Sequence, residues 1–339
     1  MSNTDFIVYK INKNDSLESI SRRLQIHPVD LKFFHNTRCS TTDRIVFDNF
    51  NGIQQLFVPI DYNDKSNRIK EKSFERPSDN FNEKFYKKEC QITEIIIDQL
   101  SNKQIVSYNF SLEFLKNTDK NILKLTRDNF KNNGKTPDNK LYHLAQKVEQ
   151  NISPFQFSIH ENGTPSGLFE LDQIIENFRQ KRVEILEDFI GDVTENYLDT
   201  IDYNLTNEEY LLKQFSSSLL FQTLFPNLKV FQTDSVFQKK FYTVPNSIEV
   251  NFKCEALYNH QHPQVVETII NGISLDNCAL VEVINGIKSD DENENTSFYA
   301  TVFFYYKTDK ITKQLIEASS EIKLIDNEKE FRTYKLIIK

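Results

Sequence analysis

Residues 6–60 read FIVYKINKNDSLESISRRLQIHPVDLKFFHNTRCSTTDRIVFDNFNGIQQLFVPI, and this is the stretch whose pattern is most specific. Tyr9 and Ile11 lie two apart in a short β-favourable run, which Asn12-Lys13-Asn14-Asp15 ends with turn-forming residues. Asp15 is placed to cap a helix, with Glu18 reaching back as in a capping box, so a first helix is expected from Ser16. Leu17, Ile20 and Leu24 fall at spacings of three and four and form one apolar stripe, leaving Arg22, Arg23 and Gln25 to water. Pro28 suits the first turn of a second helix, and Val29, Leu31 and Phe34 are expected to close over the first. Leu56-Phe57-Val58-Pro59 reads as a strand that pairs with the first one and stops at the proline.

Strand, helix, helix, strand within roughly 55 residues demands a small, tight core. Tyr9-Lys10-Ile11, Asn14-Asp15-Ser16-Leu17, Ile20-Ser21, Leu31 and Leu56-Phe57-Val58-Pro59 together resemble the LysM (lysin motif) family, over about a sixth of the chain. Three departures from the family pattern stand out: Asn14 replaces a glycine, Asn36 falls one residue late after Leu31, and the loop from Thr37 to Gly52 is long. The resemblance implies a βααβ module that binds N-acetylglucosamine glycans such as peptidoglycan or chitin. The contacts would come from the loop after the first strand and the loop before the last. By the same resemblance the first loop is Asn14, Asp15, Ser16 and Leu17; the second loop does not map. The competing reading is that Asp15 and Ser16 only cap a helix.

The 339-residue length leaves room for a body well beyond this module. Its hydrophobic fraction is only 38%, but 28 Phe and 14 Tyr point to an aromatic-rich core. A net charge of −8 disfavours nucleic acid as a partner, because phosphate binding needs a basic face. The start, MSNTDFIVYK, has no signal-peptide pattern and no run reaches the length of a membrane span, so a soluble, cytoplasmic protein is expected, exported if at all by a non-classical or contractile route. Cys39, Cys90, Cys254 and Cys278 are scattered, which predicts free thiols.

Residues 61–89 are densely charged and poor in aliphatics, and read as a linker. The remainder, 90–339, reads as an α+β body, helix-rich over about 138–226 and an antiparallel meander over about 228–339. Ile92 to Ile97 and Val106 to Phe110 suggest strands. Leu141, Leu144, Ala145, Val148 and Ile152 mark a helix, and Phe155, Phe157 and Ile159 a further strand. A long helical face runs from Leu171 to Ile190, and another from Thr206 to Leu224, stopped by Pro226. Period-two faces follow at 248–256, 298–306 and 316–324, with turn signals at Asn271-Gly272, Asn285-Gly286 and the acidic stretch Ser289–Asn295.

None of the seven glycines falls in a nucleotide-binding or nucleophile-elbow pattern, so no cofactor and no catalytic residue is assigned. His260 and His262, two apart, are the one weak metal candidate, against a simple solvated turn. The LysM-like module and the missing export signal together suggest a non-enzymatic adaptor or structural component of a contractile injection system, of the type VI secretion or phage-tail-like kind, with apparatus proteins or an effector as partners. A peptidoglycan-binding protein is the alternative, and a toxin or hydrolase with an unrecognised site the third.

Overall fold

The protein is described by a computed structural model over residues 6–24, 26–50, 52–59, 73–117, 120–233, 236–276, 278–287 and 298–339. The N-terminal module has the expected element order: β1 (Phe6–Lys10), α1 (Leu17–Leu24), α2 (Pro28–Asn36) and β2 (Gln55–Pro59). Strands β1 and β2 pair antiparallel, with Phe6 opposite Pro59 and Lys10 opposite Gln55. Leu17, Ile20, Ile26, Leu31, Ile45, Ile53, Leu56 and Val58 form its core, so the predicted stripe is the buried one. Pro28 occupies the first turn of α2, as expected, and His27 caps that helix through Nδ1, which accepts from Val29 N–H at 3.3 Å.

Two details of the module differ from expectation. The cap of α1 is Ser16, whose Oγ accepts from Ser19 N–H at 3.1 Å while Ser19 Oγ accepts from Ser16 N–H at 2.9 Å; Asp15 turns back to the preceding loop, and Glu18 pairs with Arg22 at 3.2 Å. Of the three residues expected to close over α1, Leu31 does so, Val29 packs away from the module, and Phe34 lies half-buried beneath the Arg38 guanidinium. Gln25 lies outside the described residues.

Among the described residues the body is one eleven-stranded antiparallel sheet with helices packed on one face. Its first half runs β3 (Glu89–Asp98), β4 (Lys103–Asn117), β5 (Lys120–Asn132), then α3 (Lys140–Ile152), β6 (Phe155–Ile159) and β7 (Pro165–Leu168). Four helices follow: α4 (Leu171–Asp188), α5 (Asp192–Leu205), α6 (Glu208–Ser217) and α7 (Leu219–Leu224). The second half is β8 (Val236–Tyr242), β9 (Glu249–Asn259), β10 (Val265–Ser274), α8 (Leu280–Asn285), β11 (Tyr299–Asp309), β12 (Leu315–Asp326) and β13 (Lys329–Ile338). Strand order is β7-β6-β5-β4-β3-β13-β12-β11-β10-β9-β8. The C-terminal strand β13 therefore pairs with β3, Tyr334 opposite Ile96, and joins the two halves.

The mixed α+β class matches expectation, and the single sheet spanning both halves is new. The helix expected over 206–224 is broken at Ser218, whose side chain caps α7, and α5 is an additional helix. Asn271-Gly272, expected as a turn, lies inside β10: a Cβ on Gly272 would sit 2.8 Å from Cys254 Sγ and from Val302 Cγ2, so the glycine lets three strands approach. Residues 73–89 are no free linker. Arg76, Phe85 and Tyr86 are buried, and Phe85 and Tyr86 belong to the main core. The rest of the expected linker, and the acidic stretch 289–295, lie outside the described residues.

The main core fills the space between the sheet and α3 to α7. Phe157, Phe215, Phe221 and Phe225 make tilted and edge contacts at 4.9–5.3 Å, as aromatic quadrupoles favour. The four cysteines are free thiols, three of them buried. Among the described residues no helix is long and apolar enough to cross a membrane.

Candidate functional site

The first module loop is in place, but its four residues divide into two roles. Asn14 and Ser16 are exposed. Asp15 accepts from Asn12 N–H at 2.9 Å and pairs with Arg23 Nη2 at 2.7 Å; these bonds hold its carboxyl below the usual range. Leu17 is buried in the module core. Asp15 and Leu17 therefore build the loop, Ser16 is exposed while its hydroxyl caps α1, and Asn14 and Ser16 are the two residues the loop presents. Ile11 N–H donates to Gln54 O at 3.0 Å, which sets the end of the second loop beside the first.

That second loop is engaged by the body. Lys32, on α2, is buried and bonds Asp48 at 3.0 Å and the carboxylate of Glu255 on β9. The Arg44 guanidinium lies 3.4 Å from the ring centre of Phe303 on β11, and Lys253 Nζ lies 4.5 Å from that of Phe47. Phe33 and Val29 pack with Leu257, Ile269, Phe303 and Tyr305 in an apolar cluster separate from both main cores. By register, Glu255, Asn271, Phe303, Glu321 and Lys335 form one row across β9 to β13 on the face away from the helices. The module sits on this row. Two features of the module, its long loop and the position of Asn36, have a physical reason. The long loop carries Arg44, Phe47 and Asp48 to the sheet. Asn36 is buried and fixes that loop, donating to Ile45 O at 2.9 Å and accepting from Ile45 N–H at 2.8 Å.

His260 and His262 do not converge on a metal. His260 Nδ1 meets Glu75 Oε2 at 2.9 Å, with Lys310 Nζ 3.1 Å from the same oxygen, while His262 Nδ1 accepts from Gln264 N–H in a turn. Burial lowers the His260 pKa, with Glu75 opposing the shift. Among the described residues no group of three or more His, Cys, Asp or Glu is placed to hold a metal ion. The His260 network instead ties residues 74–77 to the sheet. Lys313 Nζ donates to Phe74 O at 2.5 Å, and Arg76 lies over Tyr258 at 4.1 Å.

The body also holds a cleft of about 580 Å³, within the range of roughly 300–1,000 Å³ usual for ligand sites. The second half of β5 forms one wall and α3 the other, with Tyr197 of α5 and Pro154 at its end. Arg127 and Glu149 stand on the two walls, joined by a forked pair: Nε and Nη2 lie 3.1 and 3.0 Å from Oε1, and Nη2 lies 3.2 Å from Oε2. A smaller hollow of about 240 Å³ also takes in this pair and reaches Tyr108 and Glu94, whose hydroxyl and carboxylate bond at 2.5 Å. Burial, then Glu94, pushes the Tyr108 phenol far up, so it stays protonated and serves as a donor. Asp128 and Lys131, one charge of each sign, also line the cleft, so its charges balance; Phe130, Pro137, Tyr142, Ala145 and Tyr197 supply apolar surface, and the Gln146 and Gln150 amides supply polar groups. Such a site suits binding of a neutral ligand with an apolar body. Sequence reasoning missed it, because Arg127 and Glu149 are 22 residues apart and neither falls in a motif.

No protein-family model matches the chain, and no curated protein matches it.

Proposed function

We propose that this protein is a non-enzymatic adaptor, in which a LysM-like module fixed on a large sheet body joins the body to a protein assembly, such as a contractile injection apparatus of the type VI secretion or phage-tail-like kind. The observation that carries this reading is the engagement of the loop before the last module strand by β9 and β11, through Arg44, Phe47 and the Lys32 to Glu255 pair. A module that grips glycan between two loops needs both of them. Here the body takes one, so the module acts as a rigid extension of the body that presents Asn14 and Ser16 outward. The cleft gives the body a second place of attachment, for a neighbouring subunit or an effector.

The glycan reading keeps one specific support, the exposed Asn14 and Ser16 of the first loop. Retention on intact peptidoglycan sacculi separates the two. The adaptor reading expects the full chain and its Asn14→Ala/Ser16→Ala variant to be retained equally weakly, and in-cell cross-linking through the module to capture tube, spike or baseplate proteins. Saturable retention that is lost by Asn14→Ala alone, or by the double variant with its module still folded by hydrogen exchange since Ser16 caps α1, would overturn it in favour of peptidoglycan binding.

A further inference from the structure

The cleft has a feature that its volume does not convey: one wall is an uncovered sheet edge. Strand β4 pairs with β5 along its whole length, to Asn132, whereas β6 covers the other edge only from Asn121 to Leu125. Gln156 O accepts from Phe169 N–H at 2.8 Å, so Gln156 faces β7, and by alternation Phe155, Phe157 and Ile159 face β5. Their partners Leu125, Leu123 and Asn121 face β6 in turn, and Arg127 is the next β5 residue whose N–H and C=O point to that side. At Asn129, φ 55°, the register steps from Asp128 opposite Asn109 to Lys131 opposite Ser107. The step is a bulge that turns Phe130 to the cleft, where its C=O is met only at 3.4 Å by the Tyr142 hydroxyl. Beyond it Asn132 and Lys135 exchange backbone bonds at 2.8 and 3.0 Å and close the edge. The uncovered edge therefore spans Thr126 to Lys131, roughly 20 Å at the strand rise.

We propose that this cleft binds an extended, uncharged peptide segment of a partner protein, which lies in the line of β6 and pairs with the backbone of Arg127 and Phe130. The inference deepens the adaptor reading by naming what the body's attachment site takes. A strand is the occupant that answers an uncovered edge, since each of its alternate residues returns both a donor and an acceptor. Lack of net charge follows from the lining: Arg127 is neutralised by Glu149 in a forked pair, and the other charged residues of the wall, Asp128 and Lys131, are one of each sign. Ala145, the smallest residue of the α3 wall, leaves room for the apolar side chains that alternate toward Tyr142 and Tyr197.

The test uses the full-length protein and a random library of acetylated, amidated, uncharged hexapeptides, screened by fluorescence anisotropy. Hits are counter-screened on Ala145→Trp and on Gln146→Trp, the second being a change at an exposed helix position that keeps the fold if the first does not. Each hit is then remade with N-methyl groups on one or the other set of alternate backbone nitrogens. The proposal expects hits that lose at least about tenfold in affinity on either tryptophan variant, and that tolerate methylation of one set while losing about tenfold or more with the other. It is overturned if no peptide binds the wild type better than the variants, or if both methylated sets bind equally, as a ligand held by side chains alone would. Either failure leaves the module's cross-linking and sacculus results untouched, so the two readings fail separately.

Discussion

Removing the Lys32 ammonium tests whether the module is welded to the sheet. Its side chain is 1% exposed and that of Glu255 14%, so the pair is largely out of water on the lysine side and partly so on the glutamate side, whereas Asp48, 66% exposed, is a rim charge of little weight. Stripping one partner from a fully buried pair costs about 3–5 kcal/mol, most of it for the charge left behind. Glu255 retains some access to water, which scales the Lys32→Ala cost to about 2–4 kcal/mol. Glu255→Ala leaves the more deeply buried Lys32 with only the rim charge Asp48, so its cost falls in the same range, about 2–4 kcal/mol. The two changes share one interaction, so a double-mutant cycle should return a coupling of about 1–3 kcal/mol. The Lys32→Met/Glu255→Leu pair, which keeps volume without charge, should come back near wild type. Urea-dependent hydrogen exchange, read on peptides from α2 and β9, measures this. Single effects that sum to the double within about 0.5 kcal/mol would refute the reasoning.

Three further outcomes are expected. His35 is buried, accepts from Phe57 N–H at Nδ1 (3.1 Å) and meets Asp43 O at Nε2 (2.7 Å), and burial lowers its pKa, as it does that of His260. The unfolded chain takes up these protons near pH 6.5 and the folded one only below that, so stability should be complete above about pH 6.5 and fall on acidification, a slope that His35→Gln should flatten in urea melts. Gly272→Ala should cost about 1–3 kcal/mol from crowding against Cys254 and Val302, partly rescued by Cys254→Ala in thermal unfolding; an unrescued loss would place the strain elsewhere. Burial raises the thiol of Cys254 to about 12 and that of Cys90 to about 11, so both should resist a thiol reagent at pH 8 until denaturant is added, and prompt labelling would contradict their placement.

How much of this was readable in advance depended on distance along the chain. The module's strand, helix, helix, strand order follows from Leu17, Ile20, Leu31, Leu56 and Val58, which specify their contacts within fifty residues of one another. Its docking was hidden, because Phe33 and Phe34 look alike in sequence and only the sheet, more than two hundred residues away, buries the first of them. One local clue existed: in Phe303-Phe304-Tyr305-Tyr306 aromatic residues occupy both faces of one strand, and in β10 the adjacent apolar pairs Val265-Val266 and Ile269-Ile270 do the same, which marks a sheet covered on both sides. The cap of α1 was misread by one residue because Asp15 and Ser16 both fit the role, and Arg23 drew Asp15 away. The charged stretch 73–89 read as solvated because its partners, His260, Lys310 and the core around Phe231, lie far along the chain. The cleft was beyond reach for a different cause: a strand edge left uncovered for six residues has no signature in composition or period.

The claim that module and body form one rigid attachment unit is tested most directly by a distance measurement across them. Nitroxide labels carried on unnatural amino acids at exposed Lys13 in the module and exposed Lys103 in the body, read by pulsed electron resonance, should give one narrow distance. A broad distribution spanning several nanometres, as a tethered module would produce, would contradict the account.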